Sequence, residues 1–490
     1  MRTKRQLTLM LAAVMALTAV SGCGTKKKGE ESETVRLKYI MPGPGKQQDS
    51  DKVWAKFNEE LQKKIPGVAV DFEIIPIAEY NNKFMLMVAG RENIDIANTY
   101  GLNFSEEVIN GTFAPLDELM EKYGKELSES LDSEFMDYMR YDGTLYGIPT
   151  YQMLCVPTAY IFPKALVENY MDEEAFKAEL YGNVHATDKL YNIVEDYLEN
   201  LKQAGKINDG PKPYLLYDKG YETIVNNYVI SYDNAKVEYI FDTDAYRKYI
   251  KYAKDWKEKG YYREDLSTTD EWNVYKEDGW VMWSGNYEPW YDEQQSKALG
   301  FEVKSIPVSD KYYIPMSPSA GGTGILSSSK HKELAMQVIN LIQTDKELYN
   351  LLVHGFEGEH YKKVGDDRIE TNLSSEYATA NDKYGLWKWV VGNAELDYQN
   401  QYQPEGYKEW VFDEINSSDY KSMLIGFHPD LESVSDILTQ VSAIQGEYKG
   451  SNRYDDYDEW MSKLSIAGNQ KVIDELQRQV DEFLASKDEQ

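Results

Sequence analysis

Residues 68–103, VAVDFEIIPIAEYNNKFMLMVAGRENIDIANTYGLN, contain the pattern that decides the fold. Residues 68–75 form an apolar, β-branched run of the kind that predicts a strand. Residues 79–89 place apolar side chains on one helical face, and a glycine follows them as a helix end. Residues 93–99 predict the next strand. The stretch therefore predicts strand, helix and strand in that order.

The residues before this stretch extend the same alternation. Residues 35–41 (VRLKYIM) predict a strand, and Ser50 is a candidate N-cap for a helix that ends at residue 64. A β-α-β-α-β order predicts a parallel sheet, in which ligands bind beyond the carboxyl ends of the strands. Tyr100 and Asn103 follow the third strand, so they are candidate ligand-binding residues.

The chain after residue 150 is richer in helix and in tyrosine. A length of 490 residues exceeds what one hydrophobic core usually supports, so two domains are expected. Amphipathic patterns predict long helices at 186–204, 244–259, 332–353 and 471–485. Shorter segments predict strands at 146–149, 280–283 and 301–307.

The N-terminus has the order of an export signal. Basic residues precede an apolar run at 7–20, which is shorter than the ~20 residues of a membrane-spanning helix. The sequence Val-Ser-Gly-Cys at 20–23 is similar to a bacterial lipobox. We therefore predict a signal peptide at 1–22, lipidation of Cys23 with acyl chains such as palmitate, and a flexible tether at 23–34. The alternative is an ordinary cleavage site beside a chance cysteine.

Charge, cysteine content and the absence of catalytic motifs restrict the partners and the chemistry that we expect of this chain. The chain has 83 acidic against 53 basic residues, a net charge of −30, which disfavours nucleic acid and anionic solutes as partners. If Cys23 is lipidated, Cys155 is alone and no intrachain disulfide can form. The five histidines are scattered, and the H-E-x-x-H, C-x-x-C and G-x-S-x-G patterns are absent from the sequence. We therefore expect no enzyme, no metal site and no cofactor.

Residues 279–291, GWVMWSGNYEPWY, concentrate aromatic rings. We predict that the strand ends at Trp283 and that a turn or helix start follows at 284–287. Aromatic rings match the apolar face of a sugar, while amide and carboxylate groups bind its hydroxyls. Each tryptophan alone could equally be core, and Trp280 is expected to pack. The ligand-binding candidates in this segment are Trp283, Asn286, Tyr287 and Trp290.

Other candidates come from their position in the chain. Tyr151 and Gln152 follow the strand at 146–149. Gly322 belongs to a small-residue segment, 317–323, that could let a ligand approach the backbone. Trp387 and Trp389 form either a second ring platform or a strand.

Several segments occur in an order typical of one family: the lipobox-like start, residues 74–101, YDGTLYGIPTY (141–151), EDGWVMW (277–283) and TDKELYNLLVHGFEGEHY (344–361). Together they resemble the extracellular solute-binding proteins of ABC importers, family 1, in the lipoprotein branch typified by LipO. The resemblance extends over nearly all of the chain after the signal.

This resemblance implies an α/β, two-lobed, periplasmic-binding-protein-like (type II) fold with a ligand cleft between the lobes and a helix-rich second lobe. The first lobe is expected at 35–149 and 307–360, and the second at 150–306 and 361–490. The chain is expected to cross between lobes near 149–151, 306–312 and 355–362.

The resemblance also implies a function. We expect a monomeric receptor, lipid-anchored on the extracytoplasmic face of the cell membrane, that captures a carbohydrate by lobe closure and delivers it to ABC transporter permease subunits. An oligosaccharide is the expected solute. The alternatives are a receptor of the same fold for a peptide or other small solute, a surface glycoside-active enzyme, and a structural lipoprotein.

Overall fold

The structure is a computed structural model that describes residues 34–131, 133–207, 219–261, 281–317, 321–448 and 455–488. The predicted signal peptide, Cys23, Trp280 and nearly all of the predicted tether lie outside the described residues. Among the described residues, no helix combines the length and hydropathy needed to cross a membrane.

The first part of the chain forms the predicted alternation: β1 (Val35–Gly43), α1 (Ser50–Lys64), β2 (Val68–Pro76), α2 (Ile77–Ala89) and β3 (Ile96–Asn98). Strand β1 pairs in parallel with both β2 and β3. The apolar side of α1 packs on this sheet and is buried. The parallel sheet predicted from the sequence is therefore confirmed.

Short elements follow the parallel strands: α3 (Phe104–Ile109), α4 (Asp117–Tyr123), α5 (Lys125–Ser130), α6 (Ser133–Met136), β4 (Arg140–Tyr141), β5 (Thr144–Leu145) and β6 (Ile148–Pro149). Among the described residues, the first sheet has the strand order β2-β1-β3-β13-β6, where β13 is Gly322–Ile325. Strand β13 runs antiparallel to β3 and β6. The chain therefore leaves this sheet after β6 and returns to it at β13.

The intervening chain builds a second region. Its elements are β7 (Thr158–Pro163), α7 (Lys164–Tyr170), α8 (Glu173–Gly182), α9 (Asp188–Gln203), β8 (Tyr221–Val225), β9 (Tyr228–Ser231), β10 (Val237–Tyr239), α10 (Asp244–Glu258), β11 (Trp283–Asn286), α11 (Tyr291–Leu299) and β12 (Val303–Pro307). Strand β7 lies between β11 and β12 in an antiparallel sheet, and β9 lies between β8 and β10 in another.

The last part of the chain is mostly helical. Its elements are α12 (Lys332–Thr344), α13 (Lys346–His354), β14 (Tyr361–Lys363), β15 (Ile369–Thr371), α14 (Lys388–Val391), α15 (Ser435–Glu447), α16 (Tyr457–Ala467) and α17 (Asn469–Asp488). Helix α12 packs on the first sheet, and α13 packs against α1 and α12. Helices α15 to α17 pack on the second region.

Two large clusters of buried side chains, defined over the described residues, form separate cores. The first core includes Ile40, Phe57 and Ile339 around the parallel sheet. The second includes Leu198 and Trp460 among the helices. Burial of each large apolar side chain contributes roughly 1.5–3 kcal/mol, so each region has its own source of stability. The predicted α/β, two-lobed architecture is confirmed.

Several details of the predicted secondary structure were wrong. Ser50 is the first residue of α1 rather than its N-cap, and Trp283 begins β11 rather than ending a strand. The single helix predicted at 332–353 is broken at Asp345, whose carboxylate accepts the Leu348 N–H at 2.9 Å and caps α13. The predicted turn at 284–287 lies mostly within β11, because Ser284 to Asn286 pair with β7.

The lobe bounds predicted from the sequence remain a proposal, and we adjust them according to the core to which each segment belongs. The first two crossings fall between β6 and β7 and between β12 and β13, close to the predicted places. The third differs, because Tyr384, Leu386 and Val391 belong to the first core. We therefore assign residues 361–391 to the first lobe and place the third crossing between residues 392 and 423.

Candidate functional site

The three crossings meet in a cluster of apolar and aromatic residues between the two cores. The Asn416 side chain joins the first crossing to the third: its amide donates to the Gln152 carbonyl at 2.8 Å, and its oxygen accepts the Leu154 N–H at 2.9 Å. Trp410 Nε1 donates to the Tyr312 hydroxyl at 3.1 Å, which joins the second crossing to the third. We call this group the crossing cluster: Met153, Cys155, Trp290, Tyr312, Tyr407, Trp410, Val411, Phe412 and Ile415.

The third crossing contains a π-helical segment, Glu409–Ile415. The Asn416 N–H donates to the Val411 carbonyl, five residues back, at 3.0 Å. Segments of this geometry are rare and occur frequently at functional sites. Here the segment holds Trp410 and Phe412 against the other crossings.

The first aromatic group, Tyr100, Trp387 and Trp389, lies on the first lobe. The Trp387 and Trp389 rings stack with centroids 5.3 Å apart, and Tyr100 meets Trp389 edge-on at 5.3 Å. The Asn98 side chain at the end of β3 donates to the Val390 carbonyl at 3.0 Å. This bond places helix α14, and therefore the rings, at the carboxyl edge of the parallel sheet.

The second aromatic group centres on Trp290 of the second lobe. Its half-buried ring meets Trp410 edge-on at 5.2 Å and lies 5.8 Å from Tyr407. Its Nε1 donates to the Glu288 carboxylate at 2.5 Å. A ring and a carboxylate are therefore presented side by side.

Charged groups connect the two aromatic groups. Lys388 Nζ lies 4.9 Å above the Tyr407 ring and 3.6 Å from the Asp397 carboxylate. Burial raises the pKa of Glu288, and Trp290 and Lys388 offset part of that rise. Although Glu376 is exposed as a residue, the protein around its carboxyl group raises its pKa, and repulsion from Glu288 adds to the rise.

A narrow cavity of about 80 Å³ opens beside Lys388, Trp389 and Tyr407. Its lining combines aromatic rings, amides, two lysines and one aspartate: Gln152, Met153, Tyr377, Lys388, Trp389, Ala394, Asp397, Gln399, Gln403, Tyr407, Lys408, Val411 and Phe412. Burial, with repulsion from Glu376 and Glu288, raises the pKa of Tyr377 to about 12, so its hydroxyl stays protonated and can donate a hydrogen bond.

A second cavity of about 240 Å³ shares Phe412 with the first. Tyr151 lines it, with its ring 5.1 Å from Phe135 and 5.3 Å from Phe412. A larger groove of about 530 Å³ lies far from the crossings, along the outer edge of the first sheet. Exposed ion pairs such as Arg36–Asp71 line that groove, so it is not the candidate site.

The structure brings some of the predicted site residues together and separates others. Tyr100, Tyr151, Gln152 and Trp290 all lie around the crossing cluster. Tyr287 is nearby, since its N–H donates to the Pro157 carbonyl of the first crossing at 2.7 Å. Asn286 is exposed at the end of β11.

Trp283 lies in the core rather than at a ligand surface. It is 6 % exposed and packs with Ile161, Leu299 and Val303. The correction follows from strand pairing: β11 is held against β7, and alternation along the strand directs this ring inward.

Gly322 and Asn103 also have structural roles. A Cβ at Gly322 would lie 2.5 Å from the Ile148 carbonyl oxygen, so glycine allows the close pairing of β13 with β6. Asn103 caps α3 by accepting the Glu106 N–H, and it lines a different crevice, beside Asp430. Neither residue faces the aromatic groups.

Sequence reasoning missed Glu376, Tyr377, Tyr407 and Trp410. The density of Trp and Tyr between 377 and 412 was a visible signal. It could not be used without knowing that the third crossing falls there.

Among the described residues, Asp49, Glu359 and His360 form a group that could hold a metal ion by proximity. Both nitrogens of the His360 ring have partners within the protein. Nδ1 accepts the Phe356 N–H at 2.9 Å, and Nε2 lies 3.1 Å from the Asp49 carboxylate. Because Nδ1 is an acceptor, Nε2 carries the proton and donates to Asp49. The group therefore ties α1 to the segment after α13.

A two-lobed α/β fold with ring-lined surfaces at its chain crossings defines a class of solute-binding proteins. Residues 45–348 match the family described as bacterial extracellular solute-binding protein, and residues 423–485 match a domain of unknown function, DUF3502. The chain belongs to the bacterial extracellular solute-binding proteins. This family has an extracytoplasmic location.

A carbohydrate ABC transporter substrate-binding protein of Streptococcus pneumoniae is 23 % identical over 99 % of this chain and 100 % of the relative. Among solved structures, the N-glycan transport solute-binding protein NgtS of the same organism is 22 % identical, with a TM-score of 0.72 over 92 % of this chain and 99 % of that one. FusA of that organism, solved in complex with kestose, is 15 % identical, with a TM-score of 0.55 over 92 % and 100 %. These similarities establish the fold.

Proposed function

We propose that this protein is a lipid-anchored receptor that captures an oligosaccharide between its lobes and delivers it to the permease of an ABC importer. The observation that supports this most strongly is the meeting of two aromatic groups, one from each lobe, around the crossing cluster. The carbohydrate and N-glycan names of the relatives agree with it.

The chemistry of the site suits a sugar. Trp389 and Trp290 offer flat apolar faces for the C–H face of a pyranose. Glu288, Glu376 and the amides of the cavity accept hydrogen bonds from hydroxyls, and a buried hydroxyl left without a partner would be costly. A site of this kind discriminates between sugars through their hydroxyl patterns.

Closure would act at the crossings. Hinge motions are absorbed by a few residues where the chain passes between domains. Because the rings of the crossing cluster contact both the hinge and the cavity, bound solute would touch the segments that move. Closure would then bring Trp290 toward Trp389 and exclude water from the sugar.

The binding test is a titration of the purified protein with monosaccharides, oligosaccharides, peptides and organic acids. A ligand of the folded state raises the melting temperature with concentration, and tryptophan emission reports its site. We expect an oligosaccharide to shift both signals and Trp389→Ala to reduce both shifts at the same ligand concentration. The control is Tyr420→Ala, at a ring that is 43 % exposed and lines neither cavity.

Other outcomes would change the proposal. A response to peptides alone would keep the receptor function and replace the solute. Chemical change of the glycan during incubation would favour the enzyme alternative. A lack of any small ligand would favour a structural role.

Anchoring has its own test. Lipidation of Cys23 would attach the protein to the membrane through at least two acyl chains, enough for stable anchoring. We expect the protein to fractionate with membranes and Cys23→Ser to release it. If Cys23→Ser fractionates with membranes as the unchanged protein does, the lipidation proposal fails.

A further inference from the structure

The candidate sugar site has acidic groups on both lobes. Glu288 follows β11 of the second lobe and accepts a hydrogen bond from Trp290 at 2.5 Å. Glu376 lies in a loop that belongs to the first lobe, because Gln47 Nε2 donates to the Thr379 carbonyl of that loop at 2.8 Å. Solute held between the lobes would therefore meet one carboxylate from each side.

The nearby cations do not balance these carboxylates. Lys388 offsets part of the rise in the pKa of both carboxyl groups, but it also lies 3.6 Å from the buried Asp397 carboxylate. Lys408, on the cavity lining, donates to Asp367 at 2.7 Å and to the Glu395 carbonyl at 2.9 Å.

Other charged groups around the second aromatic group do not change this balance. Asp292 and Glu414 both face Tyr287, and Glu414 accepts a hydrogen bond from Tyr312 at 3.1 Å. His354 Nε2 lies 2.6 Å from the Asp397 carboxylate, and both side chains are buried. The site as a whole is acidic.

The acidity has a chemical consequence. An ionised carboxylate only accepts hydrogen bonds, so it pairs with hydroxyl, amide and ammonium groups of a sugar. A solute carboxylate placed there would meet like charge, which is costly in a partly desolvated site. Burial is the main cause of the raised pKa values of both groups, and repulsion from the Glu288 carboxylate adds to the rise at Glu376, which shows that the two carboxylates lie near each other.

We propose that Glu288 and Glu376 are specificity-determining residues, which make the cleft accept neutral and amino sugars and reject saccharides that contain uronic acids. This inference rests on the proposed sugar-binding function and defines its substrate class. It assigns the selection to two named side chains rather than to the overall charge of the chain.

The test compares tetrasaccharides of equal length by calorimetric titration of the purified protein. The probes are cellotetraose, tetra-N-acetylchitotetraose, the glucosamine tetramer and tetragalacturonate. We expect the strongest neutral probe to bind at least about tenfold more tightly than tetragalacturonate, as a single like-charge contact predicts. The glucosamine tetramer should bind at least as tightly as its acetylated form.

The variants are Glu288→Gln and Glu376→Gln, which keep the side-chain shape and one acceptor oxygen while removing the negative charge. Each should reduce the preference for the glucosamine tetramer over tetragalacturonate by about tenfold. The matched control is Glu118→Gln, because the Glu118 side chain is 87 % exposed on α4. Unchanged melting temperatures would show that the variants fold.

The outcomes separate the two proposals. If tetragalacturonate binds as tightly as the neutral probes, or if both variants leave the preference unchanged, this inference is overturned while the sugar-binding function stands. If none of the tetrasaccharides binds, both are overturned.

Discussion

Two segments of this protein are rich in aromatic residues, and in each of them some rings are buried in a core while others lie at the candidate site. In the segment 283–290, the Trp283 ring is in the core and the Trp290 ring lies at the candidate site. In the segment 387–410, Trp387 and Trp389 stack on each other at the sheet edge, and Trp410 is buried in the crossing cluster. The number of rings in a segment therefore does not tell which of them can meet a ligand.

The difference comes from what holds each ring. Trp283 belongs to a strand whose pairing with β7 directs alternate side chains into the protein. Trp389 belongs to the short helix α14, which hydrogen bonds from the Asn98 and Tyr349 side chains hold over the end of β3. Strand pairing directs the Trp283 ring into the core, while the short helix at the sheet edge leaves the Trp389 ring half-buried.

The largest effect that would test this comparison is on stability. We expect Trp283→Ala to lower the free energy of unfolding by about 3–5 kcal/mol, since it empties a site closed by Ile161 and Leu299. Denaturant titration measures the loss, and the affinity of the folded fraction for oligosaccharide should be unchanged. A large loss of affinity with little loss of stability would show that this ring contacts solute.

The segment 387–410 is stabilised by a buried contact between Asp397 and His354. Asp397 is 2 % exposed and lies 2.6 Å from His354 Nε2. Asp397→Ala should lower the free energy of unfolding at neutral pH by about 3 kcal/mol, because it leaves His354 buried without its partner. Urea titrations of the two proteins at neutral pH give this difference.

The same contact predicts a pH dependence. Burial alone would raise the pKa of Asp397, but His354 and Lys388 hold it below its ordinary value. The stabilising contribution is therefore present above the ordinary carboxyl pKa of about 3.9 and is lost as the pH falls through the lowered value. The stability difference between Asp397→Ala and the unchanged protein should shrink below about pH 4; a constant difference would contradict the lowered pKa.

Affinity should respond most to Trp389. We expect Trp389→Ala to weaken oligosaccharide binding by about 10- to 100-fold, as central aromatic contacts do. Trp387→Ala should have a smaller effect, because that ring supports Trp389 from behind and donates to the Ala378 carbonyl at 2.8 Å. Calorimetry on both variants measures this order, and its reversal would place the solute on the Trp387 side.

The smallest expected effect concerns Trp290. Trp290→Phe keeps an aromatic ring beside Tyr407 and removes the N–H that Glu288 accepts. Losing one hydrogen bond of this kind costs about 1 kcal/mol, so affinity should fall about fivefold while the melting temperature barely changes. An unchanged affinity would mean that the orientation of Glu288 does not depend on this bond.

Much of the fold was predictable from local pattern. The alternating apolar patterns of residues 35–99 predict a parallel sheet, and the structure confirms it. The third crossing was not predictable in the same way. Its position depends on Tyr384, Leu386 and Val391 joining the first core, which is a choice between two apolar surfaces that the chain reaches only after folding.

The candidate site also contains residues that the sequence pattern predicts and residues that it does not. Tyr100, Tyr151 and Gln152 could be predicted, because each directly follows a strand of the first sheet and strand ends converge at one edge. Glu376, Tyr377, Tyr407 and Trp410 could not, because they come from a loop and a π-helical segment without a periodic pattern.

The sequence by itself determined the elements of the first lobe and the family to which the chain belongs, because hydrophobic periodicity and ordered motifs are local properties. Only the tertiary structure decided which rings are core and which can meet a solute. Burial depends on partners such as β7 for Trp283 and Asn98 for α14, and those partners are more than a hundred residues away in the chain.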